Sequence, residues 1–338
     1  MVWDDAVQFY NRTFNEIGDP RVANWVMTQS PFLTLFICSL YVYVVKFFGP
    51  SLMKNREPLD IRWLMVFYNF MMVIFNFLIF YGFGIYGWFG SYSYKCQPVD
   101  YSNSTEALGM LKVCWWFYIS KMVEFTDTIF FVMRKKFNQI TTLHVVHHGI
   151  LPMSVWFGLK FTPGGHSTFF AFINSFVHVL MYCYYGLAAI GPHMNKYLWW
   201  KKYMTRIQMI QFVMIFTHAF QLLFRDCNYP QGFAWWIGFH SVLFWFLFAD
   251  FYRSTYRKAK ALKAKDTERN ETAQTLKNGF ATMNGHSFSC EIANSCTNQN
   301  GLSSSNGIHS HTDSTSDLSN GYLSQSDLVE PSVEKKVN

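Results

Sequence analysis

Residues 144–148 read His-Val-Val-His-His and sit inside an uncharged stretch long enough to cross a bilayer. On a helix, positions i, i+3 and i+4 share a face, so His144, His147 and His148 fall on one stripe. Imidazole binds metals, shuttles protons and attacks activated carbonyls. Ionisable groups at membrane depth are costly and mark functional sites. The chemistry open to this cluster is metal-assisted oxidation, acyl transfer or passage of a substrate.

Three further sets of polar groups lie in apolar surroundings. Lys121, Glu124, Asp127 and Thr128 form the first. Asn174 and His178, followed by Tyr182, Tyr184 and Tyr185, form the second, and Thr205, Gln208 and Gln211 the third. Each set also fits a structural role. Lys121 and Glu124 have the spacing of an ion pair, Asn174 and His178 that of residues bonding between helices, and glutamines can join helices. The tyrosines suit an interfacial belt. His166, His193, His218 and His240 stand alone or near span ends and read as packing or interfacial residues.

The elements that must position these groups are membrane helices. A hydrocarbon core of about 30 Å needs about 20 apolar residues. Seven stretches qualify: 31–49, 63–84, 113–133, 141–159, 167–190, 205–224 and 232–250. The loop 50–62 carries Lys54, Arg56 and Arg62, the loop 134–140 Arg134, Lys135 and Lys136, and the loop 191–206 Lys196, Lys201, Lys202 and Arg206. The alternate loops are poorer in Lys and Arg. By the positive-inside bias the N-terminus is luminal and the C-terminus cytosolic. Two sequons, at Asn11 and Asn103, then fall on the luminal side. So do Cys96 and Cys227, where oxidation permits them to pair. In this orientation all four polar sets lie in the cytosolic half of the membrane. Scattered core residues have no reason to agree in depth.

The chain divides into a luminal segment (1–28), a seven-helix domain (29–255) and a cytosolic tail (256–338), basic at first and then rich in Ser and Asn. The tail carries too few apolar groups to offset the cost of ordering. It ends Lys335-Lys336-Val337-Asn338, in the manner of a dilysine retrieval signal of the endoplasmic reticulum. The net charge of +7 is scattered over loops and does not point to nucleic acid. Seven cysteines form no CxxC pair. The N-terminus lacks the basic and apolar regions of a cleaved signal peptide.

One histidine cluster also suits di-iron desaturases and hydroxylases, although a di-iron centre needs several such clusters. A transporter lines a pathway through the membrane with polar groups. A polar cluster on one side, above an apolar far half, better suits a blind tunnel for a lipid tail. A site poor in water would also protect an acyl-imidazole from hydrolysis.

Four motifs carry a family resemblance: Lys121-x-x-Glu124-Phe125-x-Asp127-Thr128, His144-x-x-His147-His148, Asn174-x-x-x-His178-x-x-Met181-Tyr182-x-Tyr184-Tyr185, and Thr205-x-x-Gln208-x-x-Gln211-Phe212. In order and spacing, across residues 25–255, the chain resembles the very-long-chain fatty-acid elongases. The resemblance implies an all-α membrane protein with six of its seven helices forming a barrel around an acyl tunnel. It implies an enzyme of the endoplasmic reticulum that condenses a long-chain acyl-CoA with malonyl-CoA, losing CO2 and CoA, to a 3-oxoacyl-CoA. It implies no metal and no cofactor beyond the co-substrate malonyl-CoA. His147 and His178 are then the acyl carriers, and His144, His148 and Asn174 orient or protonate the reacting groups. Lys121, Glu124, Asp127, Tyr182, Tyr185, Thr205, Gln208 and Gln211 support the site or touch substrate. Lys201, Lys202 and Arg206 stand at the cytosolic mouth, within reach of CoA phosphates or simply as positive-inside charge. Other enzymes of the elongation cycle are expected partners, and a homodimer is open. Preferred chain length and unsaturation are not readable from one sequence.

Overall fold

A computed structural model describes residues 2–257 and, beyond them, 264, 267, 269–272 and 274–275. The retrieval signal at Lys335 and Lys336 and nearly all of the tail lie outside the described residues. Among the described residues every regular element is helical. They are α1 (Val2–Tyr10), α2 (Pro31–Met53) and α3 (Arg62–Trp88), α4 (Thr105–Val123), α5 (Phe125–Met133), α6 (Thr142–Phe161), α7 (Thr168–Ile190), α8 (Lys201–Phe224) and α9 (Gln231–Arg257).

Their boundaries follow local chemistry. Ser30 caps α2 by accepting from the Phe32 amide, with Pro31 at the first helical position. Ser104 caps α4 through the Ala107 amide. Thr141 caps α6 through the His144 amide, and so sets where the histidine stripe begins. Gly191, with φ +134°, ends α7 in a conformation that suits glycine.

Five of these helices, α2, α3, α7, α8 and α9, are long and apolar enough to cross a membrane. The other two sequence-expected spans differ from them for a physical reason. The third begins earlier than expected, at Thr105, and is interrupted at Glu124, where α4 gives way to α5. It carries Lys112, Lys121, Glu124 and Asp127, whose charges lower its hydropathy. The fourth, α6, carries the histidines, Pro152 and Lys160. In both, the groups that depress hydropathy include the motif residues and a buried lysine, Lys121 or Lys160.

The five spans bury only 22–33% of their most apolar windows. Phe67, Phe70, Phe239 and Phe246 are each at least 60% exposed. In water such a belt of aromatic rings would drive aggregation, whereas hydrocarbon solvates it. The chain is a multi-pass membrane protein.

The helices pack in a defined order: α3 on α7 and on α4, α4 on α6, α6 on α9, α9 on α8, and α8 on α7, with α2 against α6. Two ends are distinct. At one, the Leu59 amide donates to the Met133 carbonyl (3.0 Å) and Lys135 Nζ to the Lys54 carbonyl (3.3 Å). At the other, Cys96 and Cys227 are joined by a disulfide, and the His166 amide donates to the Gln97 carbonyl (2.8 Å). Gly165 stands where a Cβ would come within 2.9 Å of that same carbonyl, so the close approach needs glycine.

The N-terminal segment, read from sequence only as a luminal stretch, is helical and packs at the disulfide end. Phe14 stacks near Trp156 and Phe161, the Asp19 amide donates to the Lys160 carbonyl (2.8 Å), and Trp115 and Trp156 donate to the carbonyls of Val26 and Met27. Asn103 is exposed in the loop before α4, at this same end. Asn11, on the same N-terminal segment, is itself exposed.

Candidate active site

The break between α4 and α5 brings Glu124 into the centre of the bundle with its side chain fully buried. Its Oε1 accepts from Lys121 Nζ at 2.5 Å. The same oxygen is 3.0 Å from His178 Nδ1 on α7, an ion-pair distance without hydrogen-bond alignment. Its Oε2 lies 4.0 Å from His148 Nδ1 on α6. Lys121 Nζ also donates to Asn174 Oδ1 (3.1 Å) and lies 4.6 Å from the Phe117 ring centre. Residues from α4, the break, α6 and α7 thus converge on one carboxylate. A buried charge without such partners would cost several kcal/mol.

Asp127 and Thr128 fix the neighbouring layer. Asp127 Oδ2 accepts from the Tyr182 hydroxyl at 2.7 Å. Thr128 Oγ1 bonds His144 Nε2 (2.7 Å) and the Tyr41 hydroxyl (2.9 Å), tying α5, α6 and α2 together. His144 and His148 ring centres are 4.5 Å apart, and those of His147 and His148 5.1 Å.

The three box imidazoles have different surroundings. His144 is held by Thr128, and His148 faces Glu124. His147 alone of the three lines a cavity, with Phe244 at 4.9 Å between ring centres. This cavity encloses about 660 Å³ of space between atoms, part of it open to the surroundings. Asn174 and Gln211 join His147 at one end, and mainly apolar side chains, including Leu151, Phe170, Ile215, Phe233 and Trp236, line the rest toward the disulfide end. His178 is not a lining residue, but Asn174, one turn before it, is.

The remaining expected site residues are more peripheral. Thr205 is buried, with Oγ1 3.5 Å from the Lys201 carbonyl. Gln208 Nε2 contacts Met181 Sδ at 3.7 Å. Tyr185 is 36% exposed and packs edge-on against Tyr182 and Tyr184. Arg206 Nε donates to the Tyr252 hydroxyl (3.1 Å), with Lys201 and Lys202 on the same first turns of α8.

Sequence reasoning passed over two lining groups. His240 Nδ1 donates to the Trp236 carbonyl (2.8 Å), which leaves its Nε2 to accept from the Ser154 hydroxyl (3.1 Å). Both residues face the cavity. A lone histidine among aromatics on α9 gave no spacing signal. Only the packing of α9 against α6 reveals it.

Among the described residues, no three His, Cys, Asp or Glu side chains are gathered so as to hold a metal ion. The Glu124 network engages a lysine amine instead.

Fold and site together define a multi-pass helical membrane protein with a buried histidine and carboxylate centre opening on an apolar cavity. Residues 26–264 match the ELO family, described as the GNS1/SUR4 family. Similar proteins include a very long chain fatty acid elongase of Aedes aegypti, 56% identical over 269 residues that cover 79% of this chain and 74% of the relative. Very long chain fatty acid elongase 7 of Drosophila melanogaster is 48% identical over 311 residues, 91% of each chain. Very long chain fatty acid elongase 4 of Homo sapiens is 44% identical over 267 residues, 79% of this chain and 84% of the relative. The chain belongs to the ELO family of fatty-acid elongases.

Proposed function

We propose that this elongase performs the condensing step. An acyl-CoA transfers its acyl group to a histidine nitrogen and releases CoA. Malonyl-CoA then loses CO2, and its C2 carbon attacks the acyl-imidazole carbonyl. The products are a 3-oxoacyl-CoA two carbons longer and the regenerated histidine. Electrons balance without a redox cofactor, because the pair that made the C–CO2 bond becomes the new C–C bond.

The observation that carries this reading is the placing of His147. It ends an apolar cavity, which suits an acyl chain, and it stands beside the Lys121–Glu124–His178 network. His147 and His178 are the proposed acyl carriers, and His147 is the one that lines the cavity. Asn174 offers an amide N–H to the enolate oxygen formed on decarboxylation. His144 and His148 orient the box, with Asp127, Tyr182, Tyr185, Thr205, Gln208 and Gln211 supporting it. The order of helix contacts supports the seven-span reading with a six-helix barrel. From α3 through α7, α8, α9, α6 and α4 the contacts return to α3, leaving α2 outside.

The proposed orientation puts the histidine end toward the cytosol, which supplies CoA thioesters, and the disulfide end in the lumen of the endoplasmic reticulum. Lys201, Lys202 and Arg206 then meet the CoA phosphates.

The test is turnover of labelled malonyl-CoA by microsomes expressing the chain, against acyl-CoAs of graded length. Labelled 3-oxoacyl product at substoichiometric iron is the expected result. Stoichiometric iron with oxygen-dependent product, or lipid binding without malonyl-CoA consumption, would overturn it.

A further inference from the structure

The far end of the acyl cavity is not uniformly apolar. A second, smaller cavity adjoins it, sharing Ser167, Phe170, Ile215 and Ile237 as common walls. It has room for about one water-sized group. Four polar side chains line it: His166, Ser167, His218 and Tyr229. His166 is 2% exposed and Tyr229 4%, so neither is a surface residue.

Their hydrogen bonding is incomplete in a specific way. His166 Nε2 lies 2.8 Å from the His218 carbonyl, which can only accept, so Nε2 carries the ring proton and Nδ1 is left a bare acceptor. That Nδ1 is buried without a partner, and so is His218 Nε2; the Tyr229 hydroxyl has no aligned hydrogen bond, its polar neighbours being Ser167 and Thr162. The two imidazoles stack at 3.9 Å, and the His166 and Tyr229 ring centres are 6.2 Å apart. Burial lowers the proton affinity of His166, keeping it neutral, and pushes the Tyr229 phenol up to about 12, keeping its proton. Buried polar groups are normally paired, and an unpaired set facing one small space calls for a group that pairs with it.

The missing group must accept from a phenol O–H and donate to an imidazole nitrogen. A hydroxyl does both. Along α6 the cavity runs from His147 to Gly158, eleven residues or about 16 Å at 1.5 Å each, before it reaches this pocket. A chain whose thioester sits at His147 therefore brings its far end here, not its middle. We propose that the His166–His218–Tyr229 pocket is a subsite for a terminal hydroxyl, and that the protein elongates acyl chains oxygenated at the end remote from the thioester. This rests on the condensing-enzyme reading, which supplies the chain in the main cavity.

The test uses full-length protein in microsomes with labelled malonyl-CoA and pairs of acyl-CoAs of equal length, one methyl-ended and one bearing a terminal hydroxyl. A length series finds the best pair. The expected result is kcat/KM at least about tenfold higher for the hydroxylated member at that length, the ratio worth one satisfied hydrogen bond. Tyr229→Phe should remove most of the preference while leaving the methyl-ended substrate within about twofold. Elongation of methyl-ended chains with no hydroxyl preference at any length overturns the subsite alone. So does a ratio unchanged by Tyr229→Phe, or a Tyr229→Phe effect confined to thermal stability, which assigns the pocket to a trapped water. Failure to elongate either member overturns the subsite and the condensing reading together.

Discussion

Glu124 shares one carboxylate among a lysine and two imidazoles, and its side chain is fully buried. Removing its charge leaves Lys121 buried opposite Asn174 alone. Glu124→Gln is expected to cost about 3–5 kcal/mol of stability, the usual penalty for breaking a buried pair from one side. Glu124→Gln combined with Lys121→Met should recover most of that loss in thermal unfolding yet remain inactive, because His178 has lost its orienting partner. Full activity in the stable double variant would remove Glu124 from the site. A second residue-scale prediction concerns the nucleophile. Soluble condensing enzymes use cysteine, and Cys183, partly exposed on α7, lies within the stretch of the Asn174–Tyr185 motif. Cys183→Ala should keep activity near that of the parent. His147→Ala and His178→Ala should each lose at least about a hundredfold in labelled malonyl-CoA incorporation, in protein of normal unfolding temperature. Loss of activity in folded Cys183→Ala would overturn the histidine assignment.

The helix α6 shows how an element tunes the residues it carries. Pro152 lies inside it, and proline has no N–H for the carbonyl four residues back, which is that of His148. The helix hydrogen bonding is therefore broken one turn beyond the box. A proline there normally destabilises, so its presence beside the site argues for geometry over stability. Pro152→Ala is expected to leave or raise the unfolding temperature while lowering kcat by about tenfold or more, through re-aiming of His147. A parallel loss of folded protein and activity would instead make Pro152 structural. The same element shows what the sequence made legible. The i, i+3, i+4 stripe was readable because it depends only on near neighbours along one helix. The distinct roles within the stripe were not. That His144 turns to Thr128, His148 to Glu124 and His147 to the cavity depends on which helices flank α6. His240 and the His166–His218 stack were missed for the same reason, since each gains its meaning from a partner some fifty to ninety residues away. The interruption at Glu124 and the early start of α4 escaped a hydropathy reading because charges masked the helix there.

At the scale of the whole molecule, two independent features support the proposed assignment of the ends to compartments. The loops 54–61 and 134–141 meet at one end and carry clustered Lys and Arg. The Cys96–Cys227 bond lies at the other, and disulfides persist only in oxidising compartments. Charge bias acts during insertion and oxidation acts afterwards, so their agreement is not one signal counted twice. The prediction is accessibility from one side only. In intact microsomes, a membrane-impermeant maleimide should label Lys196→Cys but not Lys95→Cys, and detergent should expose the latter. Asn103, exposed beside Ser104 at the disulfide end, should carry a glycan that Asn103→Gln removes. Labelling of Lys95→Cys in sealed vesicles would turn the molecule over. The histidine centre would then face the lumen, away from the compartment that supplies CoA thioesters, and the proposed chemistry would lose its substrate.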